Sequence, residues 1–138
     1  MPSDNPSAIT GGSAIEFPND GETNGVITRD STTIFNLPTI GTYRVSFHTT
    51  ITGDGQLVVG LNSGSGVVQQ AKTVVGITNV QDTITFNNQL NNTCLIRTTT
   101  TNSKLTVRNP AGNASITLTA SAGGTQPISA GLLIERIA

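Results

Sequence analysis

The sequence predicts an all-β protein, a β-sandwich or jelly roll of about ten short strands in a single domain. Three observations lead there. Threonine is the commonest residue, with 23 copies among 138, and it is joined by Val and Ile, which suit a pleated, half-buried surface. Glycine and asparagine punctuate the chain at turn spacing, and no window shows a 3.6-residue apolar period. Finally, Tyr43-Arg-Val45-Ser-Phe47 places apolar side chains at every second position, the pattern of a strand with one buried face.

Taken in order, residues 1–12 are rich in Pro, Ser, Gly and Asn and read as a flexible lead-in; the domain is expected over 13–138. A first strand is expected at 14–17. Strands at 32–37 and 42–51 flank the turn Pro38-Thr-Ile-Gly41, where Gly41 offers a free φ before the long strand. Gly53-Asp-Gly55 turns the chain into a strand at 56–61. Weaker alternation, blurred by threonine, suggests strands at 67–75, 83–86 and 93–101. Strands at 104–108 and 114–119 flank Asn109-Pro-Ala-Gly-Asn113. The last strand, 128–137, has Ala130, Leu132 and Ile134 on one side and Leu133 and Ile137 on the other. Apolar residues on both faces predict a strand central in its sheet and covered twice, the second cover being another subunit.

Composition narrows the function. Seven basic and eight acidic residues are scattered singly, so no basic run follows a phosphate backbone and nucleic acid is not an expected partner. No apolar run is long enough for a membrane span, and no insertion is expected. The N-terminus has no charged n-region or apolar h-region, so no signal peptide is expected. Cys94 is the single cysteine, which excludes an intrachain disulfide. Hydrophobic residues are 35% and only five are aromatic, a modest core that burial against identical copies would extend.

Three segments, in order, resemble motifs of the C1q/TNF-like superfamily. Phe35…Gly41-Thr-Tyr43-Arg-Val45-Ser-Phe47 is similar to F-x5-G-x-Y-x-F-x-[FY], with valine in the second aromatic slot. Leu105-Thr-Val107…Gly112-Asn113-Ala-Ser-Ile116-Thr-Leu118 resembles the V-x-L-x-x-G-D-x-V-x-L hairpin, with a longer loop and Asn113 for aspartate. Ser129-Ala-Gly131-Leu-Leu133-Ile resembles the closing F-S-G-F-L-L. The low aromatic content and the Ile-Glu-Arg-Ile-Ala ending are most similar to the C-terminal heads of bacterial collagen-like glycoproteins of the BclA type, from the exosporium of spores.

The resemblance implies a non-enzymatic homotrimer that assembles and caps a fibrous, collagen-like stalk at the spore surface or another extracellular layer. Its partners would be further copies of itself, and then spore-coat proteins, a glycan or a receptor. It implies a core signature of Phe35, Gly41, Tyr43, Val45, Phe47, Leu132 and Ile134. It also implies a trimer interface of Arg44, Ser46, His48, Ser129, Gly131, Leu133 and Glu135, with Arg44 and Glu135 as an intersubunit ion pair. The alternative is a receptor- or glycan-binding head of a phage, viral or adhesin fibre.

No cofactor or catalytic constellation is expected. His48 is the only histidine, with no G-x-S-x-G, H-E-x-x-H or phosphate-loop motif to accompany it. It is a candidate pH sensor at a threefold axis, set against an ordinary interface histidine. Cys94 reads as a small buried hydrophobe on a strand rather than a reactive thiol. Asp54 and Asp82 read as turn residues rather than calcium ligands, because no spaced ligand cluster surrounds them. Asn91-Asn-Thr93 and Asn113-Ala-Ser115 match the glycosylation sequon, which an Asn/Thr-rich chain produces by chance. The Thr98–Thr101 run reads as an exposed polar strand edge.

Overall fold

Alternation in the sequence becomes alternation in space along one long strand. A computed structural model of the chain describes residues 5–78, 87–119 and 129–138. Before the long strand come two short ones, β1 (Thr28–Arg29) and β2 (Phe35–Leu37). In β3 (Thr42–Thr52), Tyr43, Val45 and Ile51 are fully buried and Phe47 nearly so, while Arg44, His48 and Thr52 are exposed. β4 (Gly55–Asn62) follows across a turn in which Gly53 has a φ of 81°, a left-handed conformation that suits glycine. The remaining strands are β5 (Val67–Gln69), β6 (Val75–Ile77), β7 (Asn87–Arg97), β8 (Ser103–Arg108), β9 (Thr117–Leu118) and β10 (Ala130–Arg136).

Among the described residues these strands form two antiparallel sheets. One runs β1-β2-β8-β4-β5, with β6 also on β4; the other runs β10-β3-β7, with β9 also on β3. Because β7 pairs with β3 from Thr42 to Thr52, β9 and β10 lie in tandem along the opposite side of β3. Inward side chains of both sheets meet in one core: Leu57, Val59, Leu105 and Val107 from the first, Tyr43, Val45, Phe47 and Leu90 from the second. Buried tyrosine needs a partner for its hydroxyl, and Tyr43 Oη donates to Thr39 O at 2.7 Å. Phe35 packs edge-on against Phe17, with ring centroids 6.0 Å apart.

The structure departs from the sequence expectations in several places, each with a local cause. Part of the expected lead-in is built into the fold: Asn5 is 1% exposed, and Ile9 belongs to the core and bridges to Ile116. Residues 14–17 form no regular strand. Ile15 N–H instead reaches Val107 O (2.9 Å) while the Ile15 and Phe17 side chains fill the core. The expected strand at 67–75 is interrupted by a 3₁₀ turn, Ala71–Thr73. There Thr73 Oγ1 accepts Val59 N–H and donates to Gln70 O, both at 2.8 Å. The expected strand at 83–86 lies outside the described residues, as does Asp82.

β7 begins earlier than expected and stops at Arg97. The threonines after it are a turn and not a strand edge. Thr98 is fully buried, its Oγ1 accepting Gly41 N–H at 3.0 Å. Gly41 itself is not among the glycines of positive φ. What it supplies is space, since a Cβ there would strike the Ala138 carbonyl and stand 2.8 Å from Arg136 Nε. The 105–118 segment is no hairpin, because β8 pairs with β2 and β4 while β9 crosses to β3 in the other sheet.

Asn109 holds that crossover. It is fully buried, and its Nδ2 donates to Ile9 O and Ala114 O, both at 2.9 Å. The amide thus ties the N-terminal segment to the crossover loop. Replacing a buried amide that satisfies two carbonyls is costly even where one carbonyl keeps another donor. Asn109→Ala is expected to lower the unfolding free energy by about 1–2 kcal/mol in urea titration; a change below about 0.5 kcal/mol would show that the amide holds nothing.

Candidate functional site

The second sheet has a covered face and an open one. On the open face β3 contributes Arg44, Ser46, His48, Thr50 and Thr52. Register places Glu135 and Leu95 beside Arg44, Leu133 and Thr93 beside Ser46, and Gly131 and Asn91 beside His48. Six of the seven residues expected at an interface therefore share one surface: Arg44, Ser46, His48, Gly131, Leu133 and Glu135. Ser129 does not. It is 2% exposed within the single chain, its Oγ accepts Asn5 Nδ2 at 3.2 Å, and its carbonyl accepts from Thr49 Oγ1 and Thr50 N–H.

Arg44 and Glu135 meet within one protomer. Nη2 and Oε2 are 2.5 Å apart, across the β3–β10 pair. Both side chains are about half exposed (48% each), so the pair contributes at most about 1 kcal/mol. Its larger effect is to neutralise the middle of the face. On either side of it stand two exposed leucines, Leu133 (57%) and Leu95 (61%). Ser46 Oγ and Thr93 Oγ1 are hydrogen-bonded at 2.9 Å between them.

Leu95 and the rest of β7 were not among the expected interface residues, and the reason is visible. β7 carries polar residues on both faces, which hides the period-two signal. The inward ones are satisfied locally: Asn88 Nδ2 donates to Gly53 O (2.8 Å) and Asn92 Nδ2 to Thr73 O (3.0 Å). β10 is also not the central strand expected. It is the edge of its sheet among the described residues, with Ala130, Leu132 and Ile134 half-buried against the core and Leu133 exposed.

His48 lies over Gly131. A Cβ built on Gly131 would stand 2.7 Å from Nε2 and 2.9 Å from Nδ1 of the imidazole. The glycine is therefore required by a neighbouring ring and not by backbone strain. The residues on either side of His48 are Asn91 and Gly131, neither an acid nor a nucleophile. Among the described residues no group of three or more His, Cys, Asp or Glu side chains lies together as a metal site would need. Asp54 is exposed at the turn after β3. Cys94 is half-buried, its Sγ 3.6 Å from Val45 O, and burial pushes the thiol above the ordinary cysteine range.

With this geometry in view, comparison with solved structures is informative. The chain superposes on the globular domain of zebrafish complement 1qA protein with a TM-score of 0.60, over 96% of this chain and 90% of that one, at 15% identity. The fold is C1q-like. No protein-family model and no curated protein sequence matches the chain. The likeness is one of architecture, two antiparallel sheets with about ten strands, and it carries the expected jelly roll.

Two measurements follow from the local chemistry. Gly131→Ala must displace the His48 ring, so it should cost about 0.5–1.5 kcal/mol. In a His48→Ala background the three atoms nearest the new methyl are gone, and the same change should become neutral or stabilising by about 0.4–1 kcal/mol; equal effects in both backgrounds would rule out the ring contact.

For Cys94 the neutral thiol is favoured by folding. Its contribution is full below the unfolded thiol pKa and is lost as pH rises through the raised folded value. Wild type should lose stability more steeply than Cys94→Ala above about pH 8.5, and iodoacetamide should label the native thiol more slowly than the unfolded one.

Proposed function

We propose that this chain is the head of a homotrimeric, non-enzymatic assembly or recognition protein, acting outside the cell. The observation that carries the reading is the open face of the β10-β3-β7 sheet, where Leu95 and Leu133 flank an ion pair already neutralised within the protomer. Such a face asks for no charge from a partner and gains by losing water from two leucines, about 1.5–3 kcal/mol for each side chain fully buried. Copies of one chain related by a closed rotation supply that burial symmetrically. The C1q-like fold agrees, since the C1q/TNF resemblance in the sequence implies trimers.

The finer reading assigns the head to a collagen-like protein of the exosporium type, where trimerisation nucleates and caps a stalk. It is supported by the order of the three sequence motifs and by the Ile-Glu-Arg-Ile-Ala ending. In this reading Arg44, Ser46, His48, Gly131, Leu133 and Glu135 form the trimer interface, joined by Leu95. No helix among the described residues is long and apolar enough to cross a membrane. A second reading, a glycan- or receptor-binding head, draws on the exposed amides Gln89 and Asn91, which suit hydroxyl-rich ligands.

Light scattering across a dilution series, at pH 7.5 and pH 5.5, tests the assembly. Three copies of the 14.2 kDa chain give 42.6 kDa, and a peak of that mass should persist on dilution. Leu133→Glu and Leu95→Glu should each weaken association by about tenfold or more, or 1.4 kcal/mol. A folded 14.2 kDa species at micromolar concentration would sink the proposal.

A further inference from the structure

The edge of β10 that faces away from β3 carries no strand among the described residues. Two hydrogen bonds fix what that edge presents: Thr50 N–H to Ser129 O at 3.2 Å and Ile137 N–H to Thr42 O at 2.9 Å. In an antiparallel pair the bonded residues recur at every second position, so Gly131, Leu133 and Glu135 direct their N–H and C=O groups to β3. Those of Ala130, Leu132, Ile134 and Arg136 point the other way. Alternating donors and acceptors at this spacing are matched by one kind of ligand, an extended main chain.

The edge is also walled. Residues 20–27 run beside it, leaving a continuous groove of two adjoining hollows of about 650 and 320 Å³. Glu22, Ile27, Leu133 and Ile134 line both. The wall is pinned by Arg29, which holds Asp20 through two hydrogen bonds (2.8 and 2.9 Å) and donates to Pro18 O at 2.6 Å. A wall along one side of the edge suits a single extended strand better than the flank of a second copy's sheet.

Charge narrows the ligand further. Asp20 is bound by Arg29 and Glu135 by Arg44, whereas Glu22 has no such partner among the described residues. Arg136, at the far end, is held by Ile40 O at 3.2 Å.

We infer that this groove binds an extended peptide segment of a partner protein, added as a further strand on the edge of β10 that faces away from β3 and carrying a basic side chain opposite Glu22. The site uses the edge of the sheet, and it does not rest on the trimer that the open face would form.

A phage library of linear heptapeptides, panned on the full chain, supplies the probe. The enriched peptide is synthesised and its Kd is read by fluorescence anisotropy, with light scattering of the same sample recording the oligomeric state. N-methylation of alternate peptide amides should weaken binding by about tenfold in one phase, the loss of an edge hydrogen bond, and by less than about twofold in the other. Glu22→Gln should weaken binding by about threefold or more. Amide exchange at Leu132 and Ile134 should slow in the complex. A library that yields no enrichment, equal effects from both methylation phases, or indifference to Glu22→Gln would overturn the inference, whatever the mass of the assembly.

Discussion

Everything in this molecule depends on the register of β3. Its side chains alternate, with Tyr43, Val45, Phe47 and Ile51 inward and Arg44, Ser46 and His48 outward. A slip of one residue against either neighbour would exchange the two sets, leaving an arginine and a histidine in the core and four apolar groups in water. Three contacts besides the hydrophobic pattern oppose that slip. The Ala138 carbonyl accepts Thr42 N–H (2.9 Å) in the space left by Gly41. Ser129 O is clasped by the hydroxyl of Thr49 and the N–H of Thr50. His48 seats on Gly131, where a Cβ would strike its ring.

Given that register, the core closes with few aromatic residues because segments outside the sheets contribute to it. Ile9, Ile15 and Phe17 come from the N-terminal segment, and Phe17 meets Phe35 edge to face. The buried amide of Asn109 then joins that segment to the crossover between sheets, so the two layers are linked by hydrogen bonds as well as by packing. A modest apolar fraction is thus offset by buried polar side chains with defined partners, among them Thr49, Thr73 and Thr98.

Which parts of this were legible in the chain has a physical explanation. β3, β4 and β8 were readable because one face of each is apolar and the pattern reports it directly. β7 was not, because Asn88 and Asn92 occupy inward positions and find carbonyls there, contacts that no periodicity shows. β10 misled in the opposite sense: its doubly apolar pattern suits a central strand, yet among the described residues the strand lies at an edge of its sheet with Leu133 exposed. Side-chain alternation sorted six of the seven candidate interface residues onto one face. The seventh, Ser129, precedes the regular strand and is claimed by Asn5, a residue 124 positions away in sequence. A pairing so distant in sequence leaves no local trace.

The placement of Asn5 and Ala138 gives the fold a polarity. Asn5 sits at Ser129, where β10 begins, and Ala138 lies against Thr42, where β10 has ended. Ten residues of extended chain separate these points, about 30 Å at the usual rise per residue. A partner fused after Ala138 would therefore emerge at the end of β10 remote from Asn5, and its attachment would leave the Asn5–Ser129 contact undisturbed.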